Sequence, residues 1–411
     1  MTRLPLVVRR RAHRRALGAC LVALGLAATS ACGSGSTADS SADSSADSSD
    51  SAASEPSNSV TTATDESMNL ADVCPSTVVF QQDWEPEADH GGWYTLVGDG
   101  YSVDTDKKRV TGELVARGVD TGVKIQIRSG GSAVDYQSVP ALMYLDKDIL
   151  IGAVNTDAAI AAQEKQPTVA VTSQMTNSPQ IIMWDPDSHP GATTIKEAAA
   201  DGDPVVTSGD TLPGLLQSEG IITKSQVDTS YEGTPQRFVS DPSILQQGFA
   251  TAEPYIYEHE VSQWDKPVSY QLMSEVGYSI YPEPSAVRQS DVTGEADCLK
   301  KLVPILQQAQ IDYLDDPDWA NSVIVDLVNQ YQTGWTYSAN VAKFAATQMK
   351  KLDIVTNDPK SGVFGEFDPA RIKKTVKTFS PIMKAAGTLK GTVDPSSLYT
   401  NKFIDDSIKL P

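Results

Sequence analysis

The amino-acid sequence predicts an α/β protein of two lobes with a helical C-terminal extension. Short β-branched runs alternate with helical runs in two successive blocks, and long amphipathic helices take over after Ser290. Roughly 340 residues follow Ala71, enough for two lobes with separate cores.

The first block opens on the apolar run Val78 to Phe80, which reads as a strand and leads into Asp83 to Tyr94, DWEPEADHGGWY. That stretch joins a turn rich in Pro and Gly to two Trp, a Tyr and a His before the chain turns helical. In an open α/β sheet, ligands sit beyond the carboxyl ends of the strands. The stretch is therefore expected to line a small-molecule cleft. VKIQI (Val123 to Ile127) alternates as a second strand and ends in Ser129-Gly130-Gly131. YQSVPALMYLDK then reads as helix, Ile149 to Val154 as a buried strand, Asp157 to Lys165 as a helix, and PTVAVTSQ as a strand. This alternation predicts a largely parallel sheet with covering helices.

The second block repeats the pattern. PQIIMW and PVVTSG read as strands, and TTIKEAAAD, DTLPGLLQSEG and PYIYEHEVSQW as helices, with a helical turn at Ser243 to Gly248. Pro267 to Tyr281 alternates as strands returning to the first lobe would. Helices are expected over about 291–313, 317–331, 337–351 and 369–386. The expected division is lobe one at 71–174 and 268–411, and lobe two at 175–267.

The chain begins as an exported one does. Residues 1–31 carry arginines at 3, 9, 10, 11, 14 and 15, no acid, and the small apolar run Ala16 to Ala31, which reads as a signal peptide. The run ends at Thr29-Ser30-Ala31-Cys32, which resembles a bacterial lipobox with Thr29 where Leu is usual. Lipidation at Cys32 and ordinary secretion with cleavage near Ala31 are the two readings. Residues 32–70, Ser-, Asp- and Ala-rich with a repeated SSAD unit, read as a disordered tether. Removing the signal takes six of 33 basic residues and none of 53 acids, so the mature charge is 27 minus 53, or −26. Such a charge argues against nucleic acid as a partner. Beyond Cys20 and Cys32, Cys74 and Cys298 remain, for a disulfide in an oxidising compartment or as two buried thiols.

Four stretches in order resemble the type II periplasmic-binding-protein fold. They resemble in particular the lipoprotein receptors of ABC importers for sulfonates, nitrate and thiamine precursors, a group that shares its fold with thiamine-pyrimidine synthases. The stretches are DWEPEADHGGWY, VKIQIRSGG, TIKEAAADGDPVVTSGDT and QQGFATAEPY. The chain departs from that pattern between Gly100 and Gly122, in its larger helical cover, and at Ala250-Thr251, where an acid is usual. The resemblance implies hinge closure on a small molecule, docking on ABC permease subunits, a monomer outside the cytoplasm whose only membrane contact is its lipid, and no cofactor.

Binding in such a cleft needs flat apolar walls and a few fixed polar groups from both lobes. The candidates are Trp84, His90, Gly91, Trp93, Tyr94, Gly130, Gly131 and Asp157 in lobe one, and Trp184, Asp185, Ser208, Gly209, Thr211, Glu253 and Tyr255 in lobe two. Gly130-Gly131 and Ser208-Gly209 could present backbone N–H groups to an anion, or serve only as turns. The acids disfavour nitrate or a sulfonate and suit a neutral or cationic nitrogen heterocycle such as a thiamine-pyrimidine precursor. Catalysis finds no support: the histidines at 13, 90, 189 and 259 have no metal-ligand spacing, and neither a nucleophile elbow nor a Walker loop occurs. The rival readings are a pyrimidine-synthase-like enzyme on the same fold and a ligand-sensing surface receptor.

Overall fold

The computed structural model describes residues 55–62, 66–231 and 233–411. The expected signal peptide, Cys32 and most of the tether lie outside these residues. Twelve strands are formed: β1 (Thr77–Gln81), β2 (Ser102–Asp104), β3 (Arg109–Ala116), β4 (Val119–Arg128), β5 (Ile149–Ala153), β6 (Thr168–Thr172), β7 (Gln180–Trp184), β8 (Val205–Val206), β9 (Val227–Asp228), β10 (Leu245–Phe249), β11 (Ser269–Leu272) and β12 (Ser285–Arg288). They build a seven-stranded sheet ordered β2-β3-β4-β1-β5-β12-β6 and a five-stranded sheet ordered β11-β7-β10-β8-β9.

The two sheets share one plan. In the first, β1 lies between parallel β4 and β5, and antiparallel β12 separates β5 from β6. In the second, β8 lies between parallel β9 and β10, and antiparallel β7 separates β10 from β11. Each sheet thus takes its antiparallel strand immediately after a crossover from the other, through residues 173–179 and 273–284. Strands β5 and β6 are buried along their whole length, as strands covered on both faces must be.

Three expectations need correction. Ser269–Leu272 pairs with β7 in the second sheet, so the chain returns to the first only at β12, and lobe two extends past residue 267. Ser243 to Gly248 is not helical: Leu245–Phe249 is a strand of the second sheet, where pairing on both sides overrides a run with no local strand signal. The tether does not stay free as far as residue 70. Asn58 Nδ2 reaches the carbonyl oxygens of Thr95, Val97 and Val115 at 2.9–3.2 Å, and Leu70 is fully buried. A polar composition cannot reveal one side-chain amide placed among three backbone carbonyls. Residues 101–121, unassigned from sequence, add a hairpin edge to the first sheet, turning at Arg117-Gly118, both at positive φ.

The long helices are Ala296–Asp315, Asp318–Tyr331, Ala339–Lys351 and Pro369–Ala385. Local chemistry sets their starts: the Ser338 side chain accepts from Val341 N–H, and the Asp368 side chain from Ala370 N–H behind Pro369. The first three pack on the first sheet, and the Cys74–Cys298 disulfide joins the segment before its interior strand β1 to the first of them. They also cover the added hairpin, for Tyr101 Oη donates to Asp326 at 2.7 Å and Lys108 Nζ to the Tyr331 carbonyl. The last long helix packs on both lobes. Its Arg371 donates to the carbonyls of Thr176 in one crossover and Ser279 and Ile280 in the other, with its guanidinium 3.9 Å from the Tyr281 ring centre.

Candidate functional site

The carboxyl ends of β1, β4 and β5 in one sheet face those of β8 and β10 in the other. A cavity of about 270 Å³ lies between them, lined by Asn155, Asp157, Ala158, Gln180, Ser208, Thr211, Gln247, Tyr278 and Met383 among others. A second cavity of about 180 Å³ continues it past Asn155 and Ala158 to Asp83, Trp84, Tyr136 and Ser138. Together they form a crevice walled by both lobes.

On the lobe-one side, Trp84 stands between Tyr136, at 5.8 Å between ring centres, and Trp335, edge-on at 6.0 Å. Gly233 of lobe two approaches so closely that a β-carbon there would lie 3.4 Å from the Trp84 ring. The Trp84 turn is held from behind. Gly130 N–H donates to the Trp84 carbonyl at 2.8 Å and Gly131 N–H to the Asp83 carbonyl at 3.1 Å. From the helical cover, Trp335 Nε1 donates to the Pro86 carbonyl, and Ala88 N–H donates to Tyr337 Oη.

Carboxyl groups are buried behind this rim. Burial raises Glu87 well above the ordinary carboxylate range, reinforced by the charges of Asp89, Asp83, Glu253 and Glu85. Burial likewise raises Glu283, with Asp83, Asp89 and Glu87 adding to it. Asp89 is pushed up to about 6, again by burial first, with His90 opposing. Asp157, buried and accepting from Tyr278 Oη at 2.8 Å, is raised by desolvation too. Burial thus favours the protonated form of these carboxyls, and a cation placed beside them would favour their ionised form.

The lobe-two rim is neutral. Ser208 N–H donates to Gln247 Oε1 at 2.8 Å, and Ser208 Oγ lies 3.3 Å from the same oxygen. Thr211 begins the helix Thr211–Ser218 beside them.

Of the sequence candidates, Trp84, Asp157, Ser208 and Thr211 line the crevice. His90 lies just behind it, 3.2 Å from both Asp83 Oδ1 and Glu283 Oε2. The others have different roles. Gly91 is where the helix Ala296–Asp315 packs close: a β-carbon would lie 2.3 Å from the Tyr313 ring. Trp93 is buried edge-on to Phe80 and donates to Ser285 Oγ, and Tyr94 is buried with its hydroxyl on Gln82. Gly130 and Gly131 spend their N–H groups on the Asp83-Trp84 carbonyls and do not present them to an anion. A β-carbon on Gly130 would lie 2.4 Å from the Asp83 backbone. Gly209 takes a positive φ in an open turn.

Trp184 and Asp185 are misplaced by strand direction. Because β7 runs antiparallel to β10, Gln180 sits at the crevice end beside Phe249, and Trp184 at the far end. There Trp184 is buried in the core and Asp185 binds Lys266 at 2.7 Å. Glu253 accepts from Phe249 N–H at 2.7 Å at its helix start, and Tyr255 packs on His259 and Phe344. Sequence reasoning missed Asn155, Gln180, Gln247, Tyr278, Tyr136 and Trp335. Asn155 had a signal, as the first polar residue beyond a buried strand; the others depend on strand direction or distant packing.

No protein-family profile and no curated protein matches the chain. Solved structures similar to it include the periplasmic aliphatic sulphonate-binding protein SsuA from Escherichia coli, at 11% identity and a TM-score of 0.49, over 79% of this chain and 92% of that one. A ligand-binding component of an ABC-type import system from Staphylococcus aureus, with zinc bound, aligns at 12% identity and a TM-score of 0.46, over 80% and 99%. The desulfurization enzyme DSZB aligns at 10% identity and a TM-score of 0.38, over 80% and 97%. At these identities the likeness is one of fold. By its own strand order, with one antiparallel crossover strand in each sheet, the chain has a two-lobed α/β fold extended by a C-terminal helical cover, as the sequence resemblance to type II periplasmic binding proteins implies.

Proposed function

We propose that the chain is an extracytoplasmic solute-binding protein that closes its two lobes on a small nitrogen heterocycle, cationic or neutral, and delivers it to the permease subunits of an ABC importer. The proposed protein is a lipidated monomer tethered at Cys32, and it binds without turnover. The observation that carries the reading is the crevice shared by both sheets, with an aromatic wall at Trp84 and Tyr136 and a cluster of buried carboxyls behind one rim whose ionised form a cation would favour. A cationic ring gains from both features: aromatic faces attract cations, and buried carboxylates are stabilised by an opposite charge. The neutral rim of Ser208, Thr211 and Gln247 supplies hydrogen bonds that orient the ring. Closure follows if the solute binds the closed form more tightly than the open one.

The test is a thermal-shift and calorimetry panel on the folded secreted chain. Aminopyrimidines and related cationic heterocycles should raise the melting temperature, while taurine and nitrate leave it unchanged. Binding of the anions alone, or of no solute in the panel, would overturn the proposal. Trp84→Ala should weaken binding of the successful compound about tenfold or more, as loss of a stacked aromatic face does.

A further inference from the structure

We infer that Asp83, His90 and Glu283 form a binding site for one divalent transition-metal ion on the lobe-one side of the crevice. The three residues come from two distant parts of the chain, the turn after β1 and the second crossover. Asp83 Oδ1 and Glu283 Oε2 each lie 3.2 Å from His90 Nε2, and all three atoms are within 4.8 Å of one another. A zinc-class ion with bonds of about 2.0–2.2 Å in tetrahedral geometry separates its ligand atoms by about 3.4 Å, so the observed spacing accommodates such an ion.

The hydrogen bonding points the same way. His90 is 1% exposed and Glu283 6%, yet His90 Nε2, Asp83 Oδ1 and Glu283 Oε2 form no hydrogen bond of acceptable geometry. Buried polar atoms without partners are costly and therefore rare. A protonated His90 would not resolve this. Nε2 carries one hydrogen, which can be directed at one of the two carboxyl oxygens and leaves the other without a donor. A dication can meet all three atoms at once, and it would favour the ionised form of both carboxyls.

The surrounding chain holds the donors in place. Asn155 Nδ2 donates to Asp83 Oδ2 at 3.0 Å, and Asn155 Oδ1 accepts from Glu283 N–H at 3.1 Å, so one side chain positions both carboxylate residues. Glu283 lies between Pro282 and Pro284 with φ of 48°, a conformation uncommon outside glycine. One imidazole and two carboxylates suit zinc, manganese, iron, cobalt or nickel better than calcium or magnesium, which favour all-oxygen sets. Asp83 also lines the smaller cavity beside Trp84, which leaves a side of the ion open to water or to a donor atom of a bound solute.

The assignment does not depend on the receptor reading, because the ion needs no solute. The experiment is calorimetric titration of the chelator-stripped secreted chain with zinc chloride, and absorption titration with cobalt(II). One ion per chain should bind, with visible cobalt bands of low-symmetry nitrogen and oxygen coordination and a raised melting temperature. Glu283→Gln and His90→Ala should each weaken zinc binding at least about 100-fold, and Asn155→Ala about tenfold. The exposed-surface control Glu113→Gln should bind as wild type. Circular dichroism establishes that each variant is folded; Glu283→Gln, nearly isosteric, decides the matter if His90→Ala does not fold. Absence of saturable binding in the wild type, or unchanged affinity in folded Glu283→Gln, would overturn the site. Neither outcome touches the heterocycle panel, so the two proposals fail separately.

Discussion

The two rims of the crevice are built on opposite principles. The lobe-one rim gathers carboxylates that burial and mutual repulsion hold above their ordinary range, and fixes them from behind with Gly130, Gly131, Trp335 and Tyr337. The lobe-two rim is neutral, and its chief polar groups, Ser208 and Gln247, already bond to each other. Under the proposed function, the first recognises charge and the second orients the ring. Buried carboxyls cost stability when ionised unless a cation meets them, whereas self-satisfied neutral groups do not.

Four changes test this contrast, in order of expected effect. Gly130→Ala drives a β-carbon into the Asp83 backbone, which cannot move without dismantling the charged rim. It should cost about 3 kcal/mol or more in guanidinium unfolding, and a loss under 1 kcal/mol would show the rim to be pliable. Arg371→Met removes the guanidinium that bonds to both crossovers. About 2–3 kcal/mol of destabilisation is expected, together with stronger proteolysis of the crossover segments; unchanged cleavage would separate Arg371 from the hinge. Gln247→Ala on the neutral rim should cost only about 1 kcal/mol, and a loss equal to that of Gly130→Ala would erase the distinction.

The smallest effect is a stabilisation. Glu253, pushed up to about 7 by burial first and by Asp89 in addition, binds its proton more tightly folded than unfolded. Its contribution to stability is therefore fully present below the ordinary carboxylate range and is lost as pH rises through about 7. Glu253→Gln should melt about 3 °C higher than wild type at pH 8 and equally at pH 5. A difference that grows on acidification would reverse the sign and refute the assignment.

Much of the fold was legible because its signals are local. Alternating apolar residues marked β4, and the four long helices announced themselves by period and by caps such as Ser338 and Asp368. The Asp83 to Tyr94 stretch could be placed at a ligand crevice because a parallel strand must end there. Within it, however, Trp84 and Trp93 look alike in sequence, and only packing against Phe80 buries the second. Ser269–Leu272 alternates equally well in either sheet, and its pairing with β7 was settled by topology.

From the sequence alone came the α/β class, the two blocks, the helical cover and the Cys74–Cys298 pair, since periodicity, turn chemistry and cysteine number are properties of neighbouring residues or of counting. Tertiary structure alone decided that β7 runs antiparallel, which carries Trp184 and Asp185 away from the crevice and brings Gln180 to it. It also brought Glu283 within 3.2 Å of His90, nearly two hundred residues earlier in the chain. Chain crossovers create that proximity, and no local pattern encodes it.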